Sequence, residues 1–149
     1  MLSSLETVAM PEAKISPDRQ GRNCRGRLLT AEDAQCIQMI LGAILQKMNL
    51  EVDTAENGKE ACDKAMASLA EGRPYDVILM DMQMPKMNGC QATQWLRKHD
   101  WQGPIIAVSI HATNKDHEEF VKAGCNSYIA KPVNETSLRE ALSPYLQPA

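Results

Sequence analysis

Tyr75-Asp76-Val77-Ile78-Leu79-Met80-Asp81-Met82-Gln83-Met84-Pro85 is the stretch that decides the fold. Four consecutive apolar residues, Val77 to Met80, have the length and the lack of alternation of a strand covered on both faces. Pro85 keeps Met84 out of the helical region, so a loop follows, and Asn88-Gly89 marks the next turn. An acid, Asp81, therefore stands at the carboxyl end of a buried strand. Open parallel sheets bind ligands outside those ends, which predicts an Asp81 held rigidly with its carboxylate at the surface. Alone, such an acid is equally well explained as a loop cap. Its weight comes from what the other strand ends supply.

Upstream, Gly26 to Ala31 reads as a short strand that ends in a second acidic pair, Glu32-Asp33. Ile37, Ile40, Leu41, Ile44, Leu45 and Met48 then recur at helical spacing, and Asn49 is suited to a left-handed stop. Leu50 to Ala55 alternates weakly as a second strand. Asn57 with Glu60 predicts a capping box for a helix with a small-residue face, Ala61, Ala65 and Leu69, ended by Gly72 and Pro74. Downstream, a helix is expected from about Gly89 to His99. Gly103-Pro104 opens the buried strand Ile105 to Val108, with Ser109 at its end. Thr113 caps a more polar helix, with Asp116 at its third position and Gly124 as its stop. Ser127 to Ala130 is a fifth strand ending in Lys131-Pro132, and a last helix is expected from about Asn134 to Tyr145.

Strand and helix thus alternate five times. This pattern implies an α/β fold, a parallel sheet with right-handed crossovers and helices on both faces. Five units in this length suit the flavodoxin-like doubly wound (βα)5 sheet, strand order 2-1-3-4-5. Strands one and three are neighbours in that order. Glu32, Asp33 and Asp81 then converge, with Ser109 and Lys131 closing in from strands four and five. Clustered carboxylates call for a cation, and Mg²⁺ favours one or two carboxylates with waters and a phosphate. An amine and a hydroxyl supply donors for phosphoryl oxygens, so the set suits phosphoryl transfer to an Asp.

The segments Thr30-Ala31-Glu32-Asp33, Val77 to Pro85, Ile105 to Ser109 and Ala130-Lys131-Pro132 resemble the receiver domain of two-component response regulators. The wording is most similar to receivers of hybrid histidine kinases. The resemblance spans residues 26–146 and leaves residues 1–25 as a flexible leader or linker. It implies that Asp81 accepts a phosphoryl group from a phosphohistidine of a histidine kinase or histidine phosphotransfer domain. It implies Mg²⁺ on Asp33, Asp81 and the Gln83 carbonyl, with Glu32 supporting through water. Ser109 becomes the switch hydroxyl, Lys131 the cation on a phosphoryl oxygen, and Tyr128 the aromatic that moves with Ser109. Lys131-Pro132 is implied to be cis. The output surface, and any dimer, falls on the fourth helix, fifth strand and fifth helix. Catalysis in this reading is confined to the domain's own phosphorylation and dephosphorylation, although a parent chain would be a kinase. Departures are Ser109 where Thr is commoner, Asn88 where Asp often precedes Gly, and Ile110 where small residues are usual, which suggests a gate over the phosphoryl site.

Other classes fit less well. A haloacid dehalogenase-type phosphatase wants a second Asp two residues after the nucleophile, where this chain has Gln83. A flavin-binding protein needs a phosphate loop after the first strand, where Glu32-Asp33 would repel it. A docking receiver that is never phosphorylated has no use for the full acid set. The 149 residues carry a net charge of −3 without a basic stripe, which argues against nucleic acid. No apolar run suits a membrane span and no secretory signal is visible. The cysteines, Cys24, Cys36, Cys62, Cys90 and Cys125, are odd in number and suit reduced thiols in the cytoplasm. The chain is expected to be either a single-domain regulator or a piece of a longer chain, and the linker-like composition of its leader favours a piece. His99, His111 and His117 lack ligand spacing and read as solvent or loop residues, the methionines as packing, and Arg22, Arg25 and Arg27 as a solvated basic run.

Overall fold

The computed structural model describes residues 24–110 and 113–148. Residues 1–23 of the expected leader, with Arg22, and His111 lie outside them. The elements are β1 (Cys24–Arg25), β2 (Arg27–Ala31), α1 (Gln35–Lys47), β3 (Glu51–Ala55), α2 (Gly58–Ala70), β4 (Val77–Asp81), α3 (Gly89–Lys98), β5 (Ile105–Ser109), α4 (Asn114–Ala123), β6 (Ser127–Ala130), α5 (Glu135–Leu142) and β7 (Gln147–Pro148). Five parallel strands run in the order β3-β2-β4-β5-β6, which is 2-1-3-4-5 counted by repeat. β4 is the middle strand, and all its residues are buried, as its apolar run requires.

The sheet divides the core in two. One side holds Leu29, Ile78, Met80, Leu96, Trp101, Ile105 and Phe120; the other holds Leu28, Leu45, Leu79, Ile106, Val108, Leu138 and Leu142. The alternation of Leu28 with Leu29, and of Ile78 with Leu79, across these two layers is the period-two geometry of a strand covered on both faces. Met80, Met82, Met84 and Met87 all pack within or against the first layer.

Local signals set most helix ends. Asn88 with Gln91, Thr113 with Asp116 and Asn134 with Ser137 close reciprocal capping boxes. Asn57 caps α2, but the Glu60 carboxylate reaches the Glu56 N–H at 2.6 Å, one residue earlier than the sequence pattern implies. Asn49 takes the left-handed conformation (φ 64°), and Gly124 (φ 114°) ends α4. α5 stops at Leu142, short of the expected Tyr145. Pro144 has no N–H for the Glu140 carbonyl, and the Ser143 hydroxyl reaches that carbonyl instead at 3.4 Å.

Two features come from long-range pairing. β1 and β7 form a separate antiparallel pair, Cys24 opposite Pro148 and Arg25 opposite Gln147. Arg27 is not solvated as its basic run suggests. It ion-pairs with Glu51 and Asp53 at 3.2 Å each and lies 4.5 Å over the Tyr75 ring centroid. Arg25 is exposed, as expected.

Arg97 ties the far end of the sheet together. Its guanidinium donates to the carbonyls of Trp101, Gly103 and Gly124 and to Asn126 Oδ1, at 2.8 to 3.1 Å. Arg97→Ala should therefore cost about 2 kcal/mol, because it strands several half-buried acceptors at once. Urea unfolding reads the loss, and Arg97→Lys should recover only part of it. An unchanged midpoint would mean that water satisfies those carbonyls equally well.

Candidate functional site

The carboxyl ends of β2, β4, β5 and β6 bring together Glu32, Asp33, Asp81, Ser109 and Lys131. Carboxylate oxygens of Glu32, Asp33 and Asp81 lie within 4.8 Å of one another. Lys131 Nζ stands between two of them, 3.1 Å from Glu32 Oε1 and 3.2 Å from Asp81 Oδ2. Lys131-Pro132 is the cis peptide of the chain's described part.

The sequence places the Asp81 carboxylate at the surface; in the structure Asp81 is only 2% exposed. The loop folds back over it. The Gln83 N–H donates to Asp81 Oδ1 at 3.0 Å, and Lys131 covers Oδ2. Gly89 makes this closure feasible, since a Cβ there would lie 2.4 Å from the Asp81 carbonyl oxygen. Lys86 (φ 67°) turns the loop through the left-handed region.

Glu32 is buried as well, whereas Asp33 is exposed. Both Glu32 carboxylate oxygens are engaged, Oε1 by Lys131 and Oε2 by the Ala34 N–H at 3.0 Å. Burial pushes the Glu32 carboxyl above its ordinary value; the Ala34 N–H and Lys131 pull it back, and Asp81 adds to the rise. For Lys131, burial pulls downward, but the bond to Glu32 and the charges of Asp81 and Glu32 outweigh it and raise the amine. The three acids and one amine thus form an electrostatically incomplete site. One ammonium serves two buried carboxylates, and the third carboxylate, Asp33, faces solvent.

Two groups were not legible in the sequence. Gln38, inside the apolar stripe of α1, donates from Nε2 to the Glu32 carbonyl at 2.5 Å and to the Ala55 carbonyl at 3.3 Å. It fixes the turn that carries Glu32 and Asp33, and only the break in the stripe marks it. His117, by its sequence a solvent or loop residue, lies on α4 with its ring centroid 4.2 Å from that of Tyr128. His99 caps α3 and stacks on Trp95 at 3.7 Å, while Trp101 is buried in the core.

Ser109 is buried and lines a pocket of about 180 Å³ with Gln83, Asn88, Cys90 and Phe120. Tyr128 is half-buried beside a groove of about 380 Å³ between β6 and α5. Ile110 stands just after Ser109 at the end of β5. It is 60% exposed and lines a separate apolar pocket of about 340 Å³ with Ile37, Ile40, Leu41, Val133 and the Lys131-Pro132 pair. The described thiols, Cys36, Cys62, Cys90 and Cys125, are free, and burial pushes Cys62 to about 11 and Cys125 to about 12.

This chain belongs to the response regulator receiver domain family, which matches residues 28–143. It is 36% identical over 121 residues to "Hybrid signal transduction histidine kinase I" of Dictyostelium discoideum, covering 78% of this chain but 7% of that protein. The receiver domain of sensor histidine kinase PA1611 from Pseudomonas aeruginosa, with a magnesium ion coordinated in its active-site cleft, superposes with a TM-score of 0.71 and 31% identity. That match covers 80% of this chain and 96% of the other. The receiver domain of the Saccharomyces cerevisiae response regulator Ssk1, solved with the phosphotransfer protein Ypd1, superposes with a TM-score of 0.74 and 27% identity. It covers 83% of this chain and 90% of that one. Family membership displaces the phosphatase and flavoprotein alternatives. No helix among the described residues is long and apolar enough to cross a membrane.

Proposed function

We propose that the domain relays a signal in a two-component phosphorelay by accepting a phosphoryl group on Asp81. The observation that carries this is Asp81's carboxylate at the end of the central strand, 3.2 Å from Lys131 and clustered with Glu32 and Asp33. An Asp81 oxygen attacks phosphorus in line, the P–N bond to the donor histidine breaks, and its electron pair returns to the imidazole. The donor ring carries a proton on its other nitrogen as it leaves, so the products are an acyl phosphate on Asp81 and a neutral donor histidine. Both Asp81 oxygens have partners in the resting protein, so Lys131 must shift from Asp81 Oδ2 toward a phosphoryl oxygen. Ser109 supplies a further hydroxyl donor, and Tyr128 follows it.

The donor set fits a hard divalent cation: oxygen ligands only, more negative charge than Lys131 balances, and one exposed acid open to it. Mg²⁺ would be held by Asp33, Asp81 and the Gln83 carbonyl, with Glu32 through water, and would offset charge on the phosphoryl oxygens. The decisive test is incubation with acetyl phosphate and Mg²⁺, followed by intact mass. A single phosphoryl addition that needs Mg²⁺ is expected; no addition would remove the proposal. By calorimetry, Asp33→Ala should weaken Mg²⁺ at least tenfold and Glu32→Gln less. Unchanged affinity in the double variant would refute the metal site.

The phosphohistidine donor, a histidine kinase or histidine phosphotransfer domain in the cytoplasm, docks over the strand ends. Ile40 and Ile110, 51% and 60% exposed, line one apolar pocket with Lys131 and Pro132, beside α1. Ile40→Glu should slow transfer from a phosphorylated donor about tenfold and leave acetyl phosphate labelling unchanged. Equal slowing of both reactions would place the damage in the site rather than at the interface. The face formed by α4, β6 and α5, which holds Tyr128, reads out the modified state, as an output or dimer surface.

A further inference from the structure

Tyr128 stands between two environments. On one side lies the His117 ring of α4, 4.2 Å away between centroids and tilted by 37°. On the other lies the groove against α5, lined by Tyr128, Asn134, Ser137, Glu140 and Ala141. The strand register links Tyr128 to the phosphoryl site. Tyr128 is opposite Ala107, and Ser109 is opposite Ala130, so Tyr128 and Ser109 share one face of the sheet two residues apart. His117 Nε2 is buried without a hydrogen-bond partner among the described residues. In either tautomer a polar ring nitrogen is left unsatisfied, which makes this packing unfavourable for His117 although the ring contact suits Tyr128.

We propose that His117 is a positioning residue of the Ser109–Tyr128 switch: its ring holds Tyr128 in the resting position, and its unpartnered Nε2 makes that hold releasable. The inference rests on the reading of Asp81 as phosphoacceptor. When the Ser109 hydroxyl turns toward the phosphoryl group, the space it leaves lies on Tyr128's own face of the sheet. Departure of the Tyr128 ring uncovers His117 Nε2 to water and removes the desolvation cost. The unphosphorylated state is therefore poised, with ring packing opposed by an unsatisfied nitrogen. Because His117 belongs to α4 and Tyr128 to β6, the same step loosens α4 against the sheet.

The two parts of the contact can be separated by substitution. His117→Phe keeps a ring and removes the polar atom, so it should hold Tyr128 more firmly. His117→Ala removes the ring and should free Tyr128 before any phosphorylation. Tyr128 ring resonances are followed by NMR, with Asp81 occupancy read by intact mass in the same samples. Unphosphorylated His117→Ala is expected to move at least halfway toward the phosphorylated wild-type position. Phosphorylated His117→Phe is expected to show at least a threefold smaller shift than wild type, at equal occupancy. A merely structural role would not send the two variants in opposite directions. Wild-type Tyr128 shifts in both variants and both states would overturn the inference. Failure of the wild type to take a phosphoryl group would strike the phosphoacceptor reading instead, and the unphosphorylated His117→Ala spectrum would still decide whether His117 holds the ring.

Discussion

Asp81→Asn is expected to take up no phosphoryl group under conditions that add one to the wild type. An amide oxygen carries no charge and cannot form the acyl phosphate, so the loss should be essentially complete. The substitution is nearly isosteric, and the contacts of Asp81 survive in part: Oδ1 can still accept from the Gln83 N–H, and Lys131 keeps Glu32 as its partner. The variant should therefore stay folded, and circular dichroism would confirm that lost labelling reports lost chemistry. Asp33 is the exposed neighbour best placed to be labelled in error. Equal mass addition in Asp81→Asn would transfer the acceptor role away from Asp81.

Lys131→Met should destabilise the domain at neutral pH by about 2–4 kcal/mol. Breaking a buried pair leaves charge uncompensated, and here two buried carboxylates lose their shared ammonium. The figure sits below that for fully buried pairs because the Lys131 side chain is 20% exposed. Glu32 already binds its proton more tightly in the folded chain than its ordinary 4.5, chiefly through burial. Its contribution to stability therefore falls as pH rises above 4.5 and recovers on acidification. Removing Lys131 widens that interval, so the gap between variant and wild type should shrink toward pH 5. In the wild type the raised Lys131 amine works in the opposite range. Its contribution is present below 10.5 and disappears as pH climbs through the higher folded value. Saturating Mg²⁺ should restore part of the variant's stability. Urea midpoints at two pH values, with and without Mg²⁺, test this; equal midpoints for variant and wild type throughout would show that Lys131 compensates nothing.

What could be read from sequence was what is local or periodic. The apolar run at Val77–Met80 fixed the middle strand, and Asn88, Thr113, Asn134, Asn49 and Gly124 set element ends through contacts spanning a few residues. The site acids were legible because strand ends in such a sheet converge by topology. Side-chain burial was not. Asp81 and Glu32 are covered by a loop and by a lysine 50 and 99 residues away, which no local pattern encodes. Arg27, Arg97, Gln38 and His117 share that cause: each is an ordinary polar residue whose role depends on partners from other elements. α5 ran short because a single missing N–H at Pro144 outweighs its apolar spacing.

The β1–β7 pair gives the domain a mechanical fuse. Its two strands are antiparallel and only two residues long, and Pro148 has no N–H to donate. Tension applied through both flanks would peel these strands apart like a zipper, bond by bond. The parallel sheet, with its strands shielded behind that seam, would feel the load only after the seam had opened. Small movements of neighbouring chain are thereby absorbed at residues 24–25 and 147–148, a full strand length of β2 away from the acids at its carboxyl end.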